Sequence, residues 1–360
     1  MSGIATPVGR FPFVGPEAME RTLGARFVLR LGANESPFGP SPLALEAAER
    51  ELSRASLYAD AECLGLRRGI ADLTGVPLER IAVGRGIDDL LRWAVGRLLG
   101  SGKVAVASAG TYPVFGQLVA GTGASLATTP YREDCSVDPS GLAALAHERR
   151  ASVVYVANPD NPTGSALPES DLLRLLAELP RDCTLLLDEA YRDYAGPEIS
   201  GDEPAAGDGR VLRFRTFSKG YGLAGLRVGY AIVPEGGSHP LAENEAAGVS
   251  RIALAAAEAA LEDRSHLRRV FEEVVAGREQ YAAMADELGW GHIPSSANFV
   301  ALDPGGQRAA DAWYRALIEA GVFVRRGFEP PLDRFLRITV GTGEERRRLA
   351  EIVRRVAASP

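Results

Sequence analysis

Residues 216–230 read TFSKGYGLAGLRVGY. One ammonium group, Lys219, stands beside two hydroxyls, Thr216 and Ser218, and a guanidinium, Arg227, follows in the same stretch; the glycines at 220, 222 and 225 leave little bulk between them. The stretch begins in one apolar run, VLRFRTFS (211–218), and ends in another, VGYAIVP (228–234). It therefore reads as a polar turn between two strands, and open α/β sheets bind ligands at the carboxyl ends of their strands. A lysine whose surroundings lower its pKa can form an imine with an aldehyde. An arginine offers a forked donor suited to phosphate oxygens. Alone, a lysine and an arginine in a surface loop are commonplace.

Outward from this turn, further strand-like runs alternate with helical ones. IAVG (81–84), KVAVAS (103–108), SVVYVANP (152–159) and CTLLLDEAY (183–191) are near-continuously apolar, as expected of strands covered on both faces. GIDDLLRWAVGRLL, PSGLAALAHERR and ESDLLRLLAELP carry apolar residues at helical spacing. The alternation predicts βαβ units around a mostly parallel sheet. From about Leu254 the pattern changes to one long charged, Ala-rich helical stretch, LAAAEAALEDRSHLRRVFEEVVAGREQYAAMADELG. A strand at NFVAL, the helix AADAWYRALIEAG, strands around VFVRR and FLRITVG and a last helix, EERRRLAEIVRRVAA, follow it and suggest a smaller α+β domain. The proline-rich NESPFGPSP (34–42) reads as a crossing between an N-terminal arm and the large domain.

Composition narrows the function. The 360 residues exceed the usual single-domain size, and 46% apolar with 24% charged content is ordinary for a soluble globular enzyme. A net charge of −7 argues against nucleic acid or an anionic membrane as partner. MSGIATPVGRFPFVGPEAMERTLG has no apolar core followed by a small-residue cleavage site, so no secretory signal is expected, and no apolar run is long enough to span a bilayer. Cys63, Cys135 and Cys183 are scattered and lack CxxC spacing, which predicts reduced thiols in a cytoplasmic protein. Four isolated histidines give no HExxH-type pair, so no metal site is expected.

Four more polar clusters fall at strand ends. In GRGIDD (84–89) the amides of Gly86, Ile87 and Asp88 open a helix and can cradle a phosphate, although a tight βα turn explains the glycines equally well. Tyr112, in GTYPVF, can stack on a flat ring or serve as a core aromatic. NPDNPTG (158–164) is a rigid turn that can present Asn161. In LLLDEAYRDY, Asp188 follows three leucines; a helix cap would explain it, but a buried carboxylate is costly without a cation, and a cap leaves Tyr191 unaccounted for. Taken with Lys219, these groups describe a pocket for one flat, phosphorylated, aldehydic molecule with a cationic ring nitrogen, which is pyridoxal phosphate.

With NPDNPTG, DEAY and SKGYGLAGLR in this order and spacing, the chain resembles the fold-type I aminotransferases, in the branch like histidinol-phosphate aminotransferase, from LGANESPFGPSP to FLRITVGT. The resemblance implies an α/β fold with a large domain on a mostly parallel seven-stranded sheet and a smaller α+β domain. Residues 1–41 would form an arm and part of the small domain, 42–250 the large cofactor-binding domain, and 251–360 the small C-terminal domain. It implies that Lys219 holds the cofactor through an imine and serves as base and acid for the 1,3-proton shift. Asp188 would pair with the pyridinium nitrogen, Asn161 and Tyr191 would bond the phenolic oxygen, and Tyr112 would stack on the ring. Thr216, Ser218, Arg227 and the amides of Gly86, Ile87 and Asp88 would hold the phosphate. Arg337, with Asn34 and Arg325, would contact substrate; for Arg325 a solvated strand-end charge is an equal reading. Tyr58 matches a tyrosine that reaches the phosphate from a neighbouring subunit, so a homodimer with shared sites is implied.

Three departures from the family pattern leave the catalytic core intact and bear on the substrate assignment. Phe13 stands where relatives often carry a tyrosine that helps bind the phosphate of histidinol phosphate; GTYP replaces Pro-Thr-Tyr; and GRGIDD loses one hydroxyl near the cofactor phosphate. The expected reaction is transfer of an amino group between an amino acid, or an amino-alcohol phosphate such as histidinol phosphate, and a 2-oxo acid. The same pocket also suits a lyase, decarboxylase or cyclase acting on an amino acid in specialised metabolism. A cofactor-bearing regulator is disfavoured because the resemblance consumes the chain, and a nicotinamide dehydrogenase because GxGxxG is absent.

Overall fold

Apolar runs too hydrophobic to face water on either side assemble in the computed structural model into one large sheet, and the C-terminal third builds a second, smaller layer. The structure describes residues 14–196, 199, 208–235, 241, 248–327 and 329–358. In chain order the strands are β1 (Leu29–Arg30), β2 (Ile81–Gly84), β3 (Val104–Ser108), β4 (Ser125–Thr129), β5 (Val153–Ala157), β6 (Thr184–Asp188), β7 (Val211–Thr216), β8 (Gly229–Ile232), β9 (Gly291–Ile293), β10 (Phe299–Asp303), β11 (Val322–Phe323), β12 (Arg325–Arg326) and β13 (Leu336–Thr339). The large sheet has the order β2-β8-β7-β6-β5-β3-β4. It is parallel from β4 through β7, and β8 and β2 close it antiparallel.

Alternate side chains of the central strands feed two cores, as the period-two geometry of a strand demands. Val153, Tyr155, Ala157 and Leu186 pack under the helices Ile87–Leu98 and Pro113–Gly121. Val154, Val156, Leu185 and Leu187 pack under Pro139–Arg149 and Glu169–Glu178. A third cluster joins Leu66, Ile70 and Val83 to Ala253, Leu254 and Ala257 of the helix Arg251–Glu262.

The smaller layer is the sheet β12-β13-β10-β9, packed against the helix Arg264–Glu287 and the C-terminal helix Gly343–Ala357. β1 pairs in parallel with β11, so residues 29–30 are tied to this layer.

The structure refines the sequence reading at three places. The long helical stretch from Leu254 is two helices, Arg251–Glu262 and Arg264–Glu287. Asp263 interrupts them with φ −87 and ψ 66, and its carboxylate caps the second by accepting from the His266 amide at 3.0 Å. VFVRR carries two short strands, as Val322–Phe323 pairs with β1 and Arg325–Arg326 with β13. β4 was not expected: SLATT is a half-polar edge strand with no apolar run to announce it. Among the described residues no helix is long and apolar enough to cross a membrane, and no group of three or more His, Cys, Asp or Glu can hold a metal ion.

Candidate active site

The carboxyl ends of β6 and β7 and the start of the helix Ile87–Leu98 open into one cavity of about 320 Å³. Ile87, Asp88, Tyr112, Asn161, Asp188, Tyr191, Thr216, Ser218, Lys219, Arg227, Asn34, Arg325 and Arg337 all line it. Tyr58 does not; it is 99% exposed in the single chain. Phe13 lies outside the described residues.

Lys219 leaves β7 on a turn that closes through bonds from the Gly222 amide to the Lys219 carbonyl (3.0 Å) and from the Leu223 amide to the Phe217 carbonyl (2.9 Å). Position 222 must be glycine: φ is +70, and a Cβ there would lie 2.4 Å from the Gly39 carbonyl oxygen. The Lys219 ammonium donates to the Asn34 carbonyl at 2.8 Å and lies 5.8 Å from the Tyr191 ring centre. Loss of solvent, with the Arg337 charge nearby, lowers its pKa to about 8.

Asp188 ends β6 and is 4% exposed. Its Oδ2 accepts from the Tyr155 hydroxyl at 2.8 Å and its Oδ1 from the Ala190 amide at 3.0 Å. No cationic side chain among the described residues pairs with it, and burial pushes its carboxyl up to about 6. The next residue behaves oppositely. Glu189 is wholly buried between Arg213 and Arg215, which hold its carboxyl down at about 2 against the pull of desolvation. Of these two adjacent acids, Glu189 is paired with the protein's own arginines, while Asp188 has no cationic partner among the described residues.

Tyr191 accepts from the Asn34 amide (2.9 Å) and the Asn161 amide (3.4 Å), so its own hydroxyl hydrogen remains to donate. Asn34 holds φ +53, and its backbone N–H donates to the Thr339 hydroxyl while its side-chain oxygen accepts from it. Arg337 donates to the Asn161 oxygen (2.5 Å) and the Gly32 carbonyl (3.1 Å), and its Nε is buried without a partner. Arg325 also donates to the Gly32 carbonyl (3.3 Å), and both arginines reach a smaller adjoining cavity of about 120 Å³ that contains Thr111, Arg326 and Glu329.

Also bordering the main cavity is the first turn of the helix Ile87–Leu98, whose leading amides have no partner within the helix and whose N-cap is Gly86 at φ +81. A Cβ at 86 would sit 2.7 Å from Arg227 Nη2, so a bare backbone is needed for the guanidinium to approach. Arg227 donates to the Ser218 hydroxyl at 3.3 Å, the Ser218 amide donates to Thr216 Oγ1 at 3.0 Å, and the Tyr112 hydroxyl donates to Asp88 Oδ1 at 3.0 Å.

A family model described as aminotransferase class I and II matches residues 26–353. The chain belongs to that family. It is 34% identical over 349 residues to the histidinol-phosphate aminotransferase of Moorella thermoacetica, covering 95% of this chain and 89% of the relative. It is 35% identical over 352 residues to histidinol-phosphate aminotransferase 1 of Nitrosococcus oceani, covering 94% and 92%. Among solved structures, histidinol-phosphate aminotransferase from Sinorhizobium meliloti in complex with pyridoxal-5'-phosphate superposes with a TM-score of 0.91 at 38% identity, covering 99% of each chain. Aspartate aminotransferase from Thermus thermophilus with maleate shares the fold, with a TM-score of 0.77 at 24% identity over 94% of each chain.

Around the aminotransferase cavity, reading the sequence missed Tyr155, Gly32, Ala33, Glu35 and Glu189. Tyr155 was hidden inside an apolar strand, and Gly32, Ala33 and Glu35 lie in LGANESPFGPSP, from which Asn34 alone was picked out. Glu189 had a signal: Arg213 and Arg215 alternate on one face of an otherwise apolar strand, and two buried cations require an acid.

Proposed function

We propose that the chain is a pyridoxal-phosphate-dependent aminotransferase in which Lys219 binds the cofactor aldehyde and Asp188 faces its ring nitrogen. One observation carries this reading. An amine and a buried carboxylate border the same cavity, each driven toward its neutral form and neither paired with the other in a salt bridge. A ligand with an aldehyde at one point and a basic ring nitrogen at another satisfies both. Pyridoxal phosphate supplies a ring that accepts the electron pair released at the substrate Cα. The amides at 86–88, with Arg227, Ser218 and Thr216, suit its phosphate. Tyr112 would cover the ring, and Asn161 and Tyr191 would hydrogen-bond its phenolic oxygen. Lys219 Nζ would take the proton from the substrate Cα and deliver it to the carbon that was the cofactor's aldehyde, and a pKa near 8 suits both removal and delivery.

Arg337 and Arg325 supply two cationic anchors at the substrate end. They fit a 2-oxo acid in one half-reaction and, in the other, an amino donor with an anionic group at each end or an amino-alcohol phosphate such as histidinol phosphate. Exposed Leu45, Leu52, Leu57 and Tyr58 support a homodimer as the working unit, in which a second copy would complete the site. Three buried free thiols suit a reducing compartment, the cytoplasm.

The test is a half-reaction. Purified enzyme is mixed with glutamate, histidinol phosphate and a panel of amino acids, and conversion of bound aldehyde to amine is followed by absorbance. Conversion by none of them would favour a lyase over a transaminase. Lys219→Ala should yield no borohydride-fixed adduct and negligible turnover; turnover at the wild-type rate would end the assignment.

A further inference from the structure

β5 reads VVYVA, and Tyr155 and Ala157 share the sheet face that also holds Leu186 of β6. In register, Tyr155 lies opposite Leu186 and Ala157 opposite Asp188. Alternation on β6 puts Asp188 on the same face as Leu186. The methyl group of Ala157 leaves room beside Asp188, and the Tyr155 phenol reaches diagonally across to place its oxygen 2.8 Å from Oδ2.

The tyrosine has no freedom to do anything else. It is 1% exposed and stacked on Phe115 at a centroid distance of 4.4 Å and an interplanar angle of 13°. Burial, with the Asp188 charge, drives its phenol well above the ordinary range, so it is a donor throughout the working pH range. A residue needed only for volume at this point could be phenylalanine, like neighbouring Phe115 and Phe214.

We propose that Tyr155 is a positioning residue for Asp188, fixing the carboxylate's rotation and keeping its negative charge directed at the ring nitrogen of the cofactor. This role rests on the reading that Asp188 faces that nitrogen. Burial raises the Asp188 carboxyl and the Asp88 and Glu189 charges add to the rise, while the Tyr155 hydroxyl and the Ala190 amide oppose it. Without the hydroxyl the carboxylate becomes a stronger base. The proton shared between Asp188 and the ring nitrogen then passes to the carboxyl oxygen, leaving a neutral pyridine and a neutral acid, and the ring accepts electrons less readily.

The experiment uses holoenzyme reconstituted with ring-15N-labelled pyridoxal phosphate, in wild type, Tyr155→Phe, Asp188→Asn and the double variant. For Tyr155→Phe the ring 15N resonance should move toward the unprotonated position, and kcat should fall about tenfold or more, the scale of a hydrogen bond to a charged group. KM for the 2-oxo acid should stay within about twofold, since substrate anchors are untouched. Because Tyr155 acts through Asp188, adding Tyr155→Phe to Asp188→Asn should cost nothing further. If Asp188→Asn impairs catalysis but Tyr155→Phe leaves both resonance and kcat at wild-type values, or lowers kcat equally in both backgrounds, the positioning role is wrong while the site assignment stands. If Asp188→Asn itself changes neither the resonance nor the rate, the site assignment fails and takes the positioning role with it. Apoprotein melting temperatures accompany each variant; a drop for Tyr155→Phe with an unmoved resonance also overturns the role, because it reduces Tyr155 to core packing.

Discussion

Glu189→Gln should be among the more damaging single-residue changes available in this chain, although residue 189 does not line the cavity. Glu189 Oε1 accepts from Arg213 Nη2 at 2.7 Å, and Oε2 accepts from Arg213 Nε at 3.1 Å and Arg215 Nε at 2.8 Å. Side-chain exposures are 0% for the acid and 3% and 10% for the arginines, so water cannot take over once the charge is gone. Removing one partner of such a buried cluster costs about 3–5 kcal/mol. With an unfolding entropy of about 2.1 cal/mol/K per residue over the 360 residues, that corresponds to a melting temperature lower by about 4–7 °C. Arg50→Ala is the control. Its partner Glu46 lies 2.6 Å away, but both side chains are 64% exposed, so the pair is worth about 0.5 kcal/mol and the melt should move by less than about 1 °C. The pH dependence follows the sign of the shift. The Glu189 carboxyl is at about 2 in the folded protein against an ordinary 4.5, so its stabilisation is complete above about 4.5 and is lost as pH falls through about 2. The gap between wild type and Glu189→Gln should therefore be widest near pH 7 and shrink toward pH 3. Differential scanning calorimetry of the apoprotein measures it. A Glu189→Gln melt within about 1 °C of wild type at pH 7 would refute the claim that the cluster is dry and mutually neutralising.

Capture of pyridoxal phosphate by apoprotein should accelerate with a midpoint near pH 8, where Lys219 loses its proton, rather than near the ordinary 10.5; stopped-flow absorbance reads this. Arg337→Lys keeps a charge but loses the forked geometry that bonds Asn161 and Gly32, so KM for a 2-oxo acid should rise roughly tenfold or more, measured by steady-state kinetics. Tyr58→Ala, a change at a residue 99% exposed in one chain, should lower cofactor affinity if two copies share each site; equilibrium dialysis of the variant beside sedimentation of the wild type checks both halves of that statement.

The central strands and the lysine turn were legible because each has a local cause. Strands buried on both faces must be apolar throughout, and a lysine that is to meet a ligand must be flanked by residues that do not block it. β4 escaped because an edge strand is exempt from the first requirement: SLATT buries only its last residue fully. The break at Asp263 escaped because the helical pattern on both sides is continuous and a single capping carboxylate does not interrupt it. Asn34 was marked as a substrate contact, but its part in steadying Lys219 and Tyr191 could not be seen. Those bonds join residues separated by 185 and 157 positions, through a backbone carbonyl in one case.

Desolvation acts on the two central groups in opposite directions, and that asymmetry explains why the pair is suited to its work. Burial lowers the Lys219 ammonium to about 8 and raises the Asp188 carboxyl to about 6, so both are pushed toward neutrality near physiological pH. An amine so placed is more readily deprotonated to a nucleophile, and a carboxylate so placed is stabilised further on meeting a cation. The protein could have removed the tendency at Asp188 by giving it an arginine, as it does one residue later at Glu189 with Arg213 and Arg215. It instead surrounds Asp188 with neutral donors, Tyr155 and the Ala190 amide, which orient the carboxylate without satisfying its charge. In the proposed function, orientation without neutralisation would leave the free energy of pairing to be released on arrival of a cationic ring nitrogen, and the same energy would hold that ring in its protonated, electron-accepting form.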